Sequence, residues 1–288
     1  MLTQKLYNAS TWVWHKCFRV PVRLEATYDR KVKKPELTVV FLHGISATSD
    51  TWRTTLKQLA RDPDLEKVRL VALDLLGFGK SLRADWLDYD YLDYDQALDQ
   101  ALKHLRVKTP VVLVGHSMGS LIAADYATNF HPSVELAELV LVSPPVLMAE
   151  ELARLPDKAY TKTYGSLHKI ATEVPAADVL AHLVQRFSSF RSTYIRTAAF
   201  AKSMEQVILN RKNYQTYTKI RIPTTIIHGH FDPLVMRSNL KRAAKQNSRY
   251  ITYVSVIGQH DISVGKRAKI LAEIKKVLKN ASKQTETV

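Results

Sequence analysis

One ten-residue stretch restricts this chain more than any other. Val111 to Val114 form an unbroken β-branched and aliphatic run, the pattern of a strand buried on both faces of a parallel sheet. Gly115-His116-Ser117-Met118-Gly119 follows at once, and Leu121 to Ala127 then has helical composition. The order predicts a strand, a G-x-S-x-G turn and a helix, which together make a nucleophile elbow. Gly115 and Gly119 belong there because a side chain at either position would collide with the neighbouring strand or helix. Such a turn strains the backbone at Ser117 and exposes its hydroxyl at a helix N-terminus, where the helix dipole favours developing negative charge. The pentapeptide occurs by chance in many chains; its flanking strand and helix make it a candidate site.

Other buried strands take their places around this one. Leu37–Leu42 runs directly into His43-Gly44-Ile45-Ser46, and a helix is predicted over Trp52–Ala60. Val68–Leu73 is the next strand, ending in Asp74-Leu-Leu-Gly-Phe-Gly-Lys-Ser81. Leu139–Val142 is another, closed by Ser143-Pro144-Pro145, and the alternation returns at Pro223–Gly229 and Tyr250–Val256. Strands alternating with helices predict an α/β fold, a mostly parallel central sheet with helices on both faces. Phe18–Tyr28 alternates and reads as an edge strand, since Pro21 bars a central place, with a charged turn over 29–35. Between residues 146 and 221 the alternation stops and the composition turns helical, with Tyr160, Tyr164, Tyr194, Tyr214 and Tyr217. The expected organisation is therefore a core of 1–145 and 222–288 with a helical cap, a substrate lid, inserted at 146–221.

A serine hydroxyl is a weak nucleophile without an adjacent base, and the base needs an orienting carboxylate. In a parallel sheet those groups belong on loops at the carboxyl ends of strands, which converge on one crevice. After Thr224–Gly229, Asp232 lies three residues past the strand, ahead of Pro233. After Tyr250–Val256 comes Ile257-Gly258-Gln259-His260-Asp261. Of the 10 histidines only His260 lies beyond Asp232, so the order Ser…Asp…His selects it. Asp261 is a poorer acid because neighbours on an extended chain point apart. The loop Ser143-Pro144-Pro145 offers no carboxylate. Gly44 lets the chain turn so that the Ile45 N–H, with the Met118 N–H, can meet an oxyanion. His43 and Trp52 read as structural supports.

Two metal readings arise and are set aside. His228-x-His230-x-Asp232 imitates the start of a metallohydrolase motif, but Pro233 stands where a further ligand belongs. Asp85, Asp88, Asp90, Asp93, Asp95 and Asp99 are dense, yet their spacing lacks the central Gly and terminal Glu of an EF-hand loop. They read better as a loop leading into a helix over Tyr94–Leu105, whose N-terminus they complement. The expectation is no metal and no cofactor.

These residues resemble the α/β-hydrolase superfamily, in its cap-bearing serine esterase and lipase branch, over nearly the whole chain. The resemblance rests on His43-Gly44 with Trp52, Asp74-x-x-Gly77-x-Gly79-x-Ser81, Gly115-His116-Ser117-Met118-Gly119, Gly229-x-x-Asp232-Pro233 and Gly258-x-His260. It implies Ser117 as nucleophile, His260 as general base and then acid, and Asp232 orienting His260. Ser120 stands where relatives often have a third Gly, a small departure that a serine accommodates. A serine at the elbow excludes dehalogenase and epoxide hydrolase chemistry, which needs Asp there, and leaves acyl transfer. Phe187, Phe190 and Phe200 in the cap suggest an apolar acyl pocket for short- to medium-chain carboxylic esters, or else hold the cap helices together. Cleavage of carbon–carbon bonds in diketones, or of thioesters, is the alternative chemistry. A ligand receptor with slow or no turnover is the alternative of another class.

The formal charge of +15 bears on partners. Residues 241–288 hold 11 Lys/Arg against 3 Asp/Glu. In Lys266–Lys279 the apolar positions Ile270, Leu271, Ile274, Val277 and Leu278 share a helical face, which predicts the lysines on the opposite, solvated face. No aromatic-basic motif accompanies them, so nucleic acid is not an expected partner. Residues 2–17 place Leu2, Leu6, Ala9, Val13 and Cys17 at helical spacing, and Trp12 and Trp14 could seat this amphipathic helix on the body or on a membrane surface. The docked helix is the expectation. With one cysteine, no apolar run long enough to span a bilayer and no signal-peptide pattern, a cytoplasmic protein is expected. The sequence is silent on oligomeric state.

Overall fold

The computed structural model describes residues 2–148, 197–210 and 212–285. Its centre is a seven-stranded sheet in the order β1-β3-β2-β4-β5-β6-β7. The strands are β1 (Glu25–Arg30), β2 (Leu37–Leu42), β3 (Val68–Asp74), β4 (Val111–His116), β5 (Leu136–Val142), β6 (Thr224–Gly229) and β7 (Ile251–Val256). β1 pairs antiparallel with β3, and every other pairing is parallel. The helices are α1 (Leu2–Trp12), α2 (Arg53–Ala60), α3 (Tyr91–His104), α4 (Met118–Thr128), α5 (Ala198–Ser203), α6 (Asn213–Lys219), α7 (Arg237–Gln246) and α8 (Val264–Thr285).

The central strands are apolar on both faces because both faces are covered. Alternation along them sends Val40, Leu42, Leu113 and Leu141 into one core, with Leu98, Leu121, Ile122 and Phe200. It sends Val39, Phe41, Val112 and Val114 into the other, with Trp52, Leu56, Ile270 and Ile274. β2 lies between β3 and β4. The chain therefore winds outward from β2 to β3, then crosses back to β4, and the strand order reverses at β2/β4. Ligands bind at such a reversal, beyond the carboxyl ends of the strands. The register aligns those ends: Leu42 pairs with Gly115, His116 with Val142, Val142 with Ile227, and Gly229 with Val256.

Two expectations need correction. The edge strand begins at Glu25 instead of Phe18 and absorbs the start of the expected charged turn. Arg19 adopts a left-handed φ of 53°, and the Leu24 N–H donates to the carbonyl of Ala97 on α3, so the chain before β1 crosses a helix and pairs with no strand. The second correction concerns α8. Ile270 and Ile274 are buried as predicted, but Lys266 is fully buried with them. It sits one turn before Ile270 on the same stripe, so it is not part of the solvated face.

Most of the expected cap, 149–196, lies outside the described residues, and with it Tyr160, Tyr164, Phe187, Phe190 and Tyr194. The described end of that segment is helical, in α5 and α6. There Phe200 and Tyr217 are buried in the main core, against the sheet's own helices. Phe200 therefore serves packing.

Candidate active site

Ser117 stands between β4 and α4 with φ 51° and ψ −119°, a left-handed conformation that costs a non-glycine residue about 1–3 kcal/mol. Its surroundings hold it there. The Ser117 N–H donates to the Val142 carbonyl at 2.9 Å, and the Ser117 carbonyl accepts from the Ser120 N–H at 2.9 Å. The Ser120 hydroxyl, fully buried, donates to the same carbonyl, so the residue that departs from the family pattern reinforces the turn. A Cβ on Gly115 would lie 2.4 Å from the Gly119 carbonyl oxygen, and one on Gly119 would lie 2.5 Å from that of His43. Glycine at both positions lets α4 approach β2 and β4.

The His43–Ile45 loop closes against this turn. A Cβ on Gly44 would fall 3.1 Å from the Cβ of Ser117. His43 is buried, accepting at Nε2 from the Leu75 N–H (2.9 Å) and donating from Nδ1 to the Gly44 carbonyl (2.7 Å). It ties the loops after β2 and β3 together, a supporting role. Trp52 packs on Phe41 with ring centroids 5.1 Å apart and meets His116 edge-on at 6.3 Å. Met118 opens α4, and the first N–H groups of a helix have no partner within it. Ile45, one residue past Gly44, is buried in the same core as Met118.

Asp232 and His260 are brought together. The His260 Nδ1–H donates to both carboxylate oxygens of Asp232, at 2.9 and 3.0 Å. The two loops touch: a Cβ on Gly229 would lie 2.3 Å from the Gln259 carbonyl oxygen. Asp232 is buried, which by itself pushes its carboxyl upward, but the hydrogen bond and charge of His260 outweigh this. With the Ser143 hydroxyl and Lys266 adding to the pull, Asp232 is held at about 2. It therefore stands as a carboxylate against His260. The His116 ring packs on the His260 ring with centroids 5.0 Å apart, which ties the elbow to the histidine loop.

Two contributors were not anticipated from the sequence. The His116 Nε2–H donates to the His260 carbonyl at 2.9 Å, with His116 kept neutral chiefly by burial. Lys266 reaches back from the first turn of α8 and donates to the carbonyls of Gln259 (2.5 Å), His260 (2.9 Å) and Asp261 (2.9 Å) and to the Ser143 hydroxyl (2.7 Å). It grips three successive carbonyls around His260. The available signal was its place on the stripe of Ile270 and Ile274.

Several of the carboxylates and histidines that suggested metals have other partners. Asp232 is engaged by His260, and His228 stacks on Tyr253, whose hydroxyl lies 3.1 Å from its Nδ1. Burial above all lowers His228 to about 4. Asp90 caps α3 by accepting from the Asp93 N–H, and Asp93 accepts from the N–H groups of Asp88 and Tyr89. Asp99 accepts from the Tyr126 hydroxyl and the Ser133 N–H.

A mostly parallel sheet with its reversal at β2/β4 and a tight strand–serine–helix turn after β4 is the architecture of the α/β-hydrolase fold. Residues 38–264 match the model of the alpha/beta hydrolase fold family, and the chain belongs to it. It is 26% identical over 261 residues to the monoacylglycerol lipase ABHD6 of Rattus norvegicus, covering 81% of this chain and 75% of that protein. It is 30% identical over 137 residues to BODYGUARD 5 of Arabidopsis thaliana, named as a probable lysophospholipase, covering 47% of this chain and only 30% of the plant protein. The esterase EaEST from Exiguobacterium antarcticum superposes with a TM-score of 0.63 at 19% identity, over 90% of this chain and 100% of that one, a likeness of fold.

Proposed function

We propose that this protein is a serine hydrolase that cleaves carboxylic esters of short- to medium-chain acyl groups. His260 takes the proton of the Ser117 hydroxyl as the oxygen attacks the ester carbonyl, and Asp232 orients the imidazole and stabilises its charged form. The Ile45 and Met118 N–H groups receive the oxyanion. His260 then protonates the departing alcohol, leaving an acyl group on Ser117. Water, deprotonated by His260, attacks that acyl-enzyme and releases the acid. No cofactor enters this cycle. In this reading the choice of acyl chain falls to residues within 146–221, apart from those, such as Phe200 and Tyr217, that are buried in the main core.

The observation that carries the reading is the contact of both Asp232 oxygens with His260 Nδ1, with the His260 ring packed on that of His116, the residue before the strained serine. The match to a monoacylglycerol lipase supports an acyl ester as the substrate class. The test is covalent labelling with a fluorophosphonate probe, followed by hydrolysis of p-nitrophenyl esters of increasing chain length. Labelling of Ser117 that is lost in Ser117→Ala, with turnover of the acetate or butyrate ester, is expected. Labelling without turnover of any ester would replace the esterase by a ligand receptor, and absence of labelling would remove Ser117 from its role.

A further inference from the structure

α1 is docked the wrong way round for a helix packed on a protein core. Its polar stripe faces the body. The Asn8 side chain donates to Asp85 at 2.7 Å and accepts from the Asp85 N–H at 3.2 Å. The Trp86 indole N–H donates to Thr11 at 3.0 Å, and the His15 ring lies 5.8 Å from that of Trp86. Asn8, Thr11 and His15 are spaced three and four apart, hence on one side of the helix. Leu2, Leu6 and Val13 fall on the opposite side, and α1 buries none of its residues.

Of the eleven large apolar side chains exposed among the described residues, seven lie between Leu2 and Phe18. Leu2 is 73% exposed, Leu6 62%, Trp14 55% and Phe18 68%, with Tyr7, Trp12 and Val13 beside them. Apolar residues scattered singly over a surface need no explanation, but a contiguous patch marks something that covers it.

The charge selects the occupant. Residues 2–24 carry Lys5, Lys16, Arg19 and Arg23 and no Asp or Glu. A second copy meeting this face through a two-fold axis would set like charges against each other. An anionic lipid surface complements them. Tyr and Trp favour the boundary between headgroups and acyl chains, where one end of the ring is wet and the other apolar. No described helix is long and apolar enough to cross a membrane.

We propose that residues 2–18 are an interfacial helix that seats this protein on an anionic phospholipid surface. Leu2, Leu6, Val13, Trp14 and Phe18 enter the acyl boundary, while Lys5 and Arg19 meet the headgroups. Lys16 lies over the Trp86 ring, 5.4 Å from its centroid, and helps hold the helix to the body. Asn8 and Thr11 hold the body to the back of the helix. The proposal is independent of the hydrolytic reading, because lipid binding is measured without substrate or turnover.

The test is sedimentation of the full chain with vesicles of equimolar phosphatidylglycerol and phosphatidylcholine, against vesicles of phosphatidylcholine alone. Binding to the anionic vesicles, weakened by high salt and accompanied by a blue shift of tryptophan fluorescence, is expected. The doubly substituted Leu6→Glu/Trp14→Glu chain, with its melting temperature unchanged, is expected to partition at least tenfold more weakly. Lys5→Glu/Arg19→Glu loses the preference for anionic vesicles and decides the matter if the first variant fails to fold. Absence of sedimentation with either vesicle, or sedimentation that neither variant weakens, overturns the proposal. So does a dimer in light scattering that Leu6→Glu/Trp14→Glu dissociates while vesicles bind nothing.

Discussion

The Lys266 ammonium lies 2.9 Å from the carbonyl oxygen of His260, and the same oxygen accepts from His116 Nε2 at 2.9 Å. Three ammonium protons serve four acceptors along the histidine loop and Ser143. Burial drives the lysine down to about 8, against the opposing charges of Asp232 and Asp261. Lys266→Met is expected to lower kcat by about 10²-fold with little change in KM, the scale of a misplaced catalytic group. The pH profile separates positioning from mere stability. Above pH 8 the neutral amine has two protons to donate, so wild-type kcat falls, and the variant lacks that limb. The folded-state pKa lies below the ordinary 10.5, so the cost of the buried charge is present below pH 8 and fades above it. Stability therefore holds or rises where activity falls. A Lys266→Met chain with wild-type kcat and the same alkaline limb would refute the role.

Asp232 makes a prediction on the acid side. Its folded-state value of about 2 lies below the ordinary 3.8, so its contribution is present above pH 4 and is lost as pH falls through 2. Asp232→Asn is expected to lower kcat by roughly 10²–10⁴-fold, because the amide stabilises neither the correct tautomer nor the charged imidazole. Acid unfolding followed by circular dichroism should show a shallower loss between pH 4 and pH 2 in the variant. Equal slopes would place the acid sensitivity elsewhere.

What could be read in the sequence, and what could not, follows from how each residue acts. The sheet was legible because β2, β4 and β6 are apolar on both faces, and a run such as Val111–Val114 has few other uses. The contact of Asp232 with His260 was legible because a parallel sheet gathers the loops at its strand ends, which sequence order already marks. Lys266 was not, because a lysine between Ile270 and the histidine loop was assigned to water by residue type, although its spacing put it on the buried stripe. α1 fails in the reverse sense. Its apolar stripe implied a core-facing side, yet Asn8 and Thr11 make the contacts. β1 was displaced because alternation over Phe18–Tyr28 cannot tell a strand from a chain crossing a helix, as Leu24 crosses α3.

The elbow makes a steric prediction. A Cβ at Gly115 would fall 2.4 Å from the Gly119 carbonyl oxygen and 2.5 Å from the Ser120 Cα, both fixed by α4. Gly115→Ala forces α4 away from β4, at a cost of about 3 kcal/mol by overpacking. Urea unfolding should show that loss, together with a fall in fluorophosphonate labelling, since Ser117 moves with the start of α4. A fully labelled and equally stable Gly115→Ala chain would show that the turn tolerates a side chain.

A last prediction concerns two buried carboxyls away from the site, Asp95 on α3 and Asp125 on α4. Burial, then the charge of Asp125, push Asp95 well above the usual carboxylate range, and burial raises Asp125 as well. The pair is asymmetric: the Asn129 side chain donates to Asp125 at 2.6 Å, so Asp125 is the better anion and Asp95 keeps the proton and donates it to Asp125. A folded-state pKa above the unfolded 3.8 means that the native state binds the extra proton. Stability is then fully present below pH 4 and declines as pH rises toward the raised value, the reverse of the Asp232 case. Asp95→Asn keeps a donor facing Asp125 and cannot ionise. It is expected to be more stable than the wild type at neutral and alkaline pH and to lose the downward slope above pH 4. Urea midpoints across that range decide it: parallel curves for the two proteins would mean that Asp95 does not hold the proton.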